Sequence, residues 1–428
     1  MQNSRVGSGG RARAFLTGDE LAATIRATKE RLRLQIPDLR KTFAEVEDHV
    51  RREVDEIQEA RAGGRSPVPS IDLGDVSRGG VSEAALRDVR RRGVVIVRRV
   101  FPRDEATAWN EAIGEYLAHN RYQERPADPS LDPYFSTLHS GRPQIFGIYW
   151  SKPQVEARQH PALAVTRAFL NSIWTHASGG RVHFRPDREC TYADRIRRRE
   201  PGDRSLGLSP HMDAGSVERW IDPAYRQVYR HVFSGAPRAY DPFDGAFRPL
   251  VEEIPSPAVC SMFRTYQGWT ALTPQGEGDG TLQLLPIARA IAYLLLRPLL
   301  ADVPEDSLCG AEPGRALHIT PEWHSLLLPA LAPIPLVEPG DTIWWHPDVV
   351  HGLESVHTGS GYSNVVYIGS APECPKNTAY LERQRAAFVA GESAPDFAPE
   401  HYEAGFAGRA RLEDLSPLGR KQMGFDAW

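Results

Sequence analysis

Ser209-Pro210-His211-Met212-Asp213-Ala214-Gly215 sets an imidazole and a carboxylate two residues apart. On a β-strand, residues i and i+2 point to the same face, so His211 and Asp213 would offer two ligands to one ion. With one distant histidine they complete the 2-His-1-carboxylate facial triad of non-haem Fe(II) oxygenases. Two questions decide the fold: whether this segment is a strand, and where a third ligand comes from.

The H-x-D pattern occurs twice, as His211-Met212-Asp213 and as His346-Pro347-Asp348. The first is followed by Ala214-Gly215-Ser216, small residues that let a metal or ligand come close. In the second, Pro347 removes a backbone donor and disturbs strand geometry, so His346 and Asp348 are less suited to share a face. Downstream, the turn Pro339-Gly340-Asp341, an apolar strand and then His351-Gly352 form a pattern found late in double-stranded β-helix oxygenases. There a late strand carries its histidine beside the early H-x-D across the barrel mouth. His351 is therefore the candidate third ligand.

The texture around these motifs fits. After about residue 183, strand-like pieces at 191–199, 208–214, 258–273, 281–286, 334–337, 341–346 and 363–369 alternate with Gly and Pro punctuation, as in an all-β sandwich or barrel. The apolar segment Ala288 to Leu300 reads as a buried helix inserted between strands, and 377–390 as a later helix. Upstream, Val46, Val50, Val54 and Ile57 recur at helical spacing within a segment running from Thr17 to about Ala62. Ser82 is placed to cap a helix, residues 93–97 form a short buried strand, and Glu105 to Asn120 a helix. A further helix over Ala162 to His176 would turn Val165, Phe169, Leu170 and Ile173 inward.

The chain has 428 residues, a formal charge of −4 and 41% hydrophobic residues, enough for one large core with extensions. Near-balanced charge gives no reason to expect nucleic acid or a membrane surface as partner, and no apolar run reaches the roughly 18 residues of a membrane span. Cys190, Cys260, Cys309 and Cys374 stand far apart without a C-x-x-C, which points to reduced thiols and a cytoplasmic protein.

Longer motifs carry a resemblance. Gly147 to Gln154 (GIYWSKPQ), Asp194-Arg195-Ile196-Arg197, Pro201-Gly202-Asp203, His211 to Trp220 (HMDAGSVERW), Phe263 to Leu272 (FRTYQGWTAL) and Trp344 to His351 (WWHPDVVH) together resemble the YbiU-like family. That family is similar to the phytanoyl-CoA-hydroxylase-like Fe(II)/2-oxoglutarate dioxygenases, and the resemblance covers about residues 40 to 380. It implies an α+β protein whose core is a double-stranded β-helix (jelly-roll, cupin-like) flanked by helices. The expected organisation is a disordered tail at 1–16, a helical arm at 17–65, a helix-strand-helix region at 66–182 packing on the barrel, a catalytic core at 183–372 with a helical insert at about 287–300, and a helical extension at 373–428. The arm would pack on the body or on a second subunit, which leaves a homodimer open.

The resemblance further implies that His211, Asp213 and His351 bind Fe(II), with 2-oxoglutarate as cosubstrate and O2 as oxidant. The reaction would hydroxylate a small-molecule substrate and release succinate and CO2. Halogenases of this fold lack the carboxylate, so Asp213 argues for hydroxylation or a related desaturation or epoxidation. Two other readings compete: a metal-binding, cupin-like dioxygenase that does not use 2-oxoglutarate, and a non-enzymatic binding scaffold.

One departure matters. Many 2-oxoglutarate oxygenases place an arginine or lysine about a dozen residues after the distal histidine, to clamp the far carboxylate. Here no Arg or Lys lies between His351 and Lys376. The clamp must then come from elsewhere: Arg264 first, beside Gln267, or Arg195 or Arg197 on the strand before the H-x-D motif. Tyr362 and Asn364 could offer neutral hydrogen bonds instead. Trp150, Trp220 and Trp269 are the candidate substrate-lining residues.

Overall fold

The computed structural model describes residues 16–125, 144–205, 209–256 and 259–428. The tail expected at 1–16 lies almost wholly outside them. The N-terminal arm is two helices, Gly18–Gln35 and Leu39–Ala62. The break falls at Ile36-Pro37-Asp38, because proline lacks the helical N–H and disfavours helix in the residue before it. Asp38 then caps the second helix, accepting the Lys41 N–H at 3.0 Å. Val46, Val50, Val54 and Ile57 are buried as their spacing requires. They share a core cluster with Met212, Trp220 and the helical insert Ala290–Leu296, so the arm is seated on the body.

The helices at Glu83–Arg92, capped by Ser82, and Arg103–His119 fall where expected. The next runs from Pro161 to Ser172 and is rotated from the expected face: Val165 is 44% exposed, while Leu163, Thr166, Arg167, Leu170 and Asn171 point inward. Polar residues on the buried side hid the true stripe. The expected helix at 377–390 is Pro375–Ala390.

The strands, in chain order, are β1 Ser70–Asp72, β2 Val94–Arg98, β3 Ile145–Phe146, β4 Ala177–Ser178, β5 Arg181–Val182, β6 Arg185–Glu189, β7 Ile196–Arg199, β8 His211–Met212, β9 Tyr266–Ala271, β10 Leu282–Leu284, β11 Leu317–His318, β12 Ala332–Pro333, β13 Thr342–Trp345, β14 His351–Leu353, β15 Ser363–Ser370 and β16 Pro372–Glu373. One strand expected at 334–337 instead pairs at Ala332–Pro333, where it joins β10. Val337 makes only an isolated bridge to Gln275.

The result is a mixed α+β architecture with two large sheets. The first has the order β1-β2-β13-β9-β15-β7-β3 and is antiparallel except for β1 beside β2; the second has the order β11-β8-β14-β10-β12 and is antiparallel throughout. Side-chain alternation gives the first sheet two buried faces. Ile96, Trp269, Ala271, Ile343, Trp345 and Val365 pack with Leu282 and Leu284 of the second sheet. Val95, Val97, Trp344, Val366 and Ile368 meet the helical layer. Burial on both sides explains why β2 and β13 read as unbroken apolar runs. Among the described residues no helix is long and apolar enough to cross a membrane.

Candidate metal centre

β8 is only two residues long, yet it is the strand that the H-x-D motif needs. His211 pairs in register with His318 on β11 and with His351 on β14. Met212 turns into the core at 0% exposure, which sends His211 and Asp213 together to the opposite side. Their ligand atoms and that of His351 lie within 4.8 Å of one another. His211 Nε2 is 3.6 Å from Asp213 Oδ1, and His351 Nε2 is 3.5 Å from Asp213 Oδ2. Ligands at right angles around an ion with bonds of about 2.1 Å stand about 3 Å apart, so each histidine–aspartate pair would close by about half an ångström around an ion.

Each histidine has one nitrogen directed at a backbone carbonyl. His211 Nδ1 donates to Ser209 O at 2.8 Å, and His351 Nδ1 faces Val349 O at 3.4 Å. A carbonyl can only accept, so Nδ1 carries the proton and Nε2 keeps its lone pair for a metal. Burial, reinforced by the neighbouring His351, pushes the His211 pKa down to about 4; its ring is neutral at neutral pH. Burial alone would raise the pKa of Asp213, but His351, His211 and Arg264 hold the carboxyl well below the usual range. Two neutral-capable imidazoles and one carboxylate are the donor set of a divalent transition metal.

Asp213 is held from two sides. Gln267 Nε2 donates to its Oδ2 at 2.7 Å, and Gln267 Oε1 accepts the Trp345 indole N–H at 2.7 Å. Because indole nitrogen only donates, the amide orientation is fixed. Gln267 was expected to contact a cosubstrate; its amide is instead committed to Asp213 and Trp345. Behind Asp213 the chain bends away through Ala214 at φ +67° and Gly215 at φ +88°, a conformation uncommon for a residue with a side chain. Arg219 Nη2 donates to Asp213 O at 2.8 Å, Arg219 Nε to Gly215 O at 3.3 Å, and Tyr225 Oη to Ala214 O. These bonds fix the bend that aims the carboxylate.

The second H-x-D has a different life. Asp348 is 1% exposed and accepts from Arg219 at 2.7 Å, Arg248 at 2.8 Å, Tyr229 at 2.9 Å and Tyr240 at 3.2 Å. His346 donates from Nε2 to Pro242 O at 2.9 Å, accepts the Asp348 N–H at Nδ1 at 2.9 Å, and stacks on Trp174. Both side chains are saturated by protein. Arg219 nevertheless joins this network to Asp213, and sequence reading missed that link.

The candidate arginines sort by what they touch. Arg195 pairs with Asp194 at 3.5 Å and lies 4.5 Å over the Phe397 ring. Arg197 is 0% exposed and stacks 4.4 Å from the Trp269 ring. Its Nη2 donates to Ser363 Oγ at 3.2 Å, and its Nε and Nη1 have no partner among the described residues. Burial lowers its pKa to about 10, so it remains cationic at neutral pH. Arg264 precedes β9 and lies 5.2 Å from the Tyr192 ring. Burial opposes its charge, but Cys260, Tyr192, Asp213 and Asp194 raise its pKa.

Of the three candidate tryptophans, Trp269 is the one placed in this region, edge-on to Trp345 and to Tyr367. Trp150 and Trp220 are packing residues of other clusters, their indole N–H groups bound to Glu392 O and Leu295 O. That corrects their expected place at a substrate. Tyr362 is 46% exposed, and Asn364 donates to Asn110 at 2.9 Å.

A family model described as Gig2-like matches residues 19–425. The chain is 43% identical over 406 residues to protein YbiU of Escherichia coli K12, covering 94% of this chain and 96% of YbiU. Its structure is similar to that of a candidate oxidoreductase of Salmonella typhimurium LT2, with a TM-score of 0.91 at 43% identity, covering 96% and 99% of the two chains. It is also similar to that of GlcNAc Inducible Gene 2 from Candida albicans, with a TM-score of 0.76 at 27% identity, covering 94% and 89%. The likeness thus extends beyond residues 40–380 to the N-terminal helices and the C-terminal extension.

Proposed function

The chain belongs to the Gig2-like family, and from that premise we propose that it is an Fe(II)/2-oxoglutarate-dependent oxygenase of the phytanoyl-CoA-hydroxylase-like kind, hydroxylating a small molecule. The observation that carries this reading is the convergence of His211, Asp213 and His351 on one point. Fe(II) held there would supply activation of O2 coupled to oxidative decarboxylation of 2-oxoglutarate to succinate and CO2.

The barrel reading rests on strand order. Renumbered 1 to 8 along the chain, β7, β8, β9, β10, β12, β13, β14 and β15 lie in the orders 6-3-8-1 and 2-7-4-5. That order supports reading the two sheets as a double-stranded β-helix, or jelly roll. His211, Asp213 and His351 would take one face of the metal and leave three positions open. Gln267 keeps the Asp213 carboxylate turned toward the histidines, and Trp269, Trp345 and Ile343 wall the interior against water.

We assign the cosubstrate clamp to Arg197. The cation absent after His351 would have stood on β15, and Arg197 on β7 is the register partner of Val365 on that strand. Its guanidinium reaches back to the Trp269 ring. Trp269 lies two residues from Gln267, so the clamp and the metal level are about 7 Å apart by strand rise, a span that suits a dicarboxylate of the length of 2-oxoglutarate. Arg197 Nε and Nη1, unpartnered among the described residues, are the donors available to the cosubstrate's far carboxylate, while the Ser363 hydroxyl, itself donating to Gln275 Oε1, accepts from Nη2 and holds the guanidinium in place.

The test is anaerobic loading with Fe(II) followed by 2-oxoglutarate, watched for the metal-to-ligand charge-transfer band, then O2 exposure with succinate quantified. Neither band nor succinate in an iron-replete protein sinks the proposal. Iron uptake without the band would instead favour a cupin-like dioxygenase independent of 2-oxoglutarate. Asp213→Ala should abolish stoichiometric iron binding.

A further inference from the structure

We propose that Arg264 recognises the substrate, and that the substrate class is a small anion whose carboxylate or phosphate sits beside the carbon to be oxidised. This rests on the oxygenase reading above.

Of Arg195, Arg197, Arg199 and Arg264, three have other employment. Arg199 donates to the carbonyls of Gly280, Glu354 and Asp203. Arg195 is paired with Asp194. Arg197 lies toward the Ala271 end of β9, the side assigned to the cosubstrate. Arg264 enters from the opposite end, three residues before Gln267, so the two cations flank the level at which Gln267 holds Asp213. It makes no hydrogen bond or ion pair with any described residue, and its guanidinium is steadied only by the Tyr192 ring. Half-buried, it is accessible to a ligand without being freely solvated.

Gly369 makes room for it. Gly369 pairs with Gln267 across β15 and β9, and alternation puts it on the same face as Val365 and Tyr367, the face shared with Trp269. A Cβ there would come within 3.3 Å of Arg264 Cδ. The missing side chain is the space through which the arginine stem passes toward Asp213. A cation brought to the metal level, with its N–H donors unspent on any described residue and set opposite the cosubstrate clamp, is suited to bind an anionic group of the second organic reactant.

The experiment uses the full chain loaded anaerobically with Fe(II) and 2-oxoglutarate, titrated with acetate, benzoate, inorganic phosphate and phenyl phosphate, with benzyl alcohol as the neutral control. Perturbation of the charge-transfer band reports binding, and carboxylate against phosphate probes separate the two anion classes. Wild type should respond to at least one anion and not to benzyl alcohol. Arg264→Ala should weaken that response at least tenfold while changing 2-oxoglutarate affinity less than threefold, and Arg264→Lys should recover part of it. Gly369→Ala, which crowds the stem but keeps the charge, should weaken it too. A wild type indifferent to all four anions, an unchanged response in Arg264→Ala, or a loss of 2-oxoglutarate binding in Arg264→Ala as large as in Arg197→Met each overturns the proposal. If iron binds but 2-oxoglutarate gives no band, the oxygenase reading fails on its own. Calorimetric titration of iron-loaded wild type and Arg264→Ala with the same anions then still decides the role of Arg264.

Discussion

Asp348→Asn tests the tie between the two H-x-D segments. The carboxylate is buried and serves two guanidinium and two phenol donors. The amide that replaces it keeps the volume, so no cavity opens, but it offers one oxygen and presents an NH2 to two arginines that only donate and two phenol oxygens that already accept from those arginines. Two buried arginines lose their counter-charge. Breaking a buried pair by removing one partner destabilises by roughly 3–5 kcal/mol, and that range is expected here. Equilibrium urea unfolding read by fluorescence measures it. The deficit should be partly recovered in Asp348→Asn/Arg248→Met, which removes one stranded cation. Arg248 and Arg219 hold the Asp348 pKa well below the usual carboxylate range, against a burial effect that alone would raise it. Its stabilisation is therefore complete above the unfolded carboxylate pKa of about 3.9 and is lost only as pH falls further. The difference between wild type and Asp348→Asn should stay flat from pH 5.5 to 8 and shrink in acid. A loss below about 1 kcal/mol, or a double variant no more stable than the single, refutes the reasoning.

Glu189 and Glu403 are buried carboxyls whose pKa burial pushes up to about 7. The folded state then holds protons that the unfolded state has released, so stability should rise as pH falls from 8 toward 5, by up to about 1.4 kcal/mol per pH unit for each group. Thermal melts across that range check it, and Glu403→Gln should flatten the slope. Gln267→Leu frees Asp213 Oδ2 from its donor and should weaken iron binding by roughly 10–100-fold in chelator competition; unchanged affinity would remove Gln267 from the site. Arg197→Met should raise the 2-oxoglutarate dissociation constant at least tenfold with iron binding intact, and equal loss of both would mark a structural defect.

What was legible in the sequence follows from how locally each feature is determined. His211, Asp213 and His351 could be found because two-residue spacing and a glycine-marked strand carry the signal, and the long helices because their apolar positions repeat. β3, β11 and β14 have only two or three residues each, too few for alternation to show, and their pairing is decided by partners far along the chain. The interior of the first sheet misleads a pattern reader for another reason. Arg197, Arg199 and Gln267 are buried polar residues, satisfied or held by groups that only the folded chain brings near. The same holds for Thr166 and Arg167, whose burial turned the Pro161–Ser172 helix away from its apparent apolar face.

The two H-x-D motifs show how identical residue types acquire different chemistry. A carboxylate can ligate a metal only if its lone pairs are not already spent on protein donors. Asp348 meets four donors, two of them cationic, and has nothing left to offer. Asp213 receives one neutral amide on Oδ2, while its Oδ1 faces His211, so an acceptor site remains toward the histidines. The saturated carboxylate still bears on the open one. Asp348 lies three residues before His351, and the arginine it fixes donates to the Asp213 carbonyl. One buried ion pair therefore ties the segment carrying His351 to the bend that aims Asp213. That makes the motif discounted as a metal site the brace of the one retained.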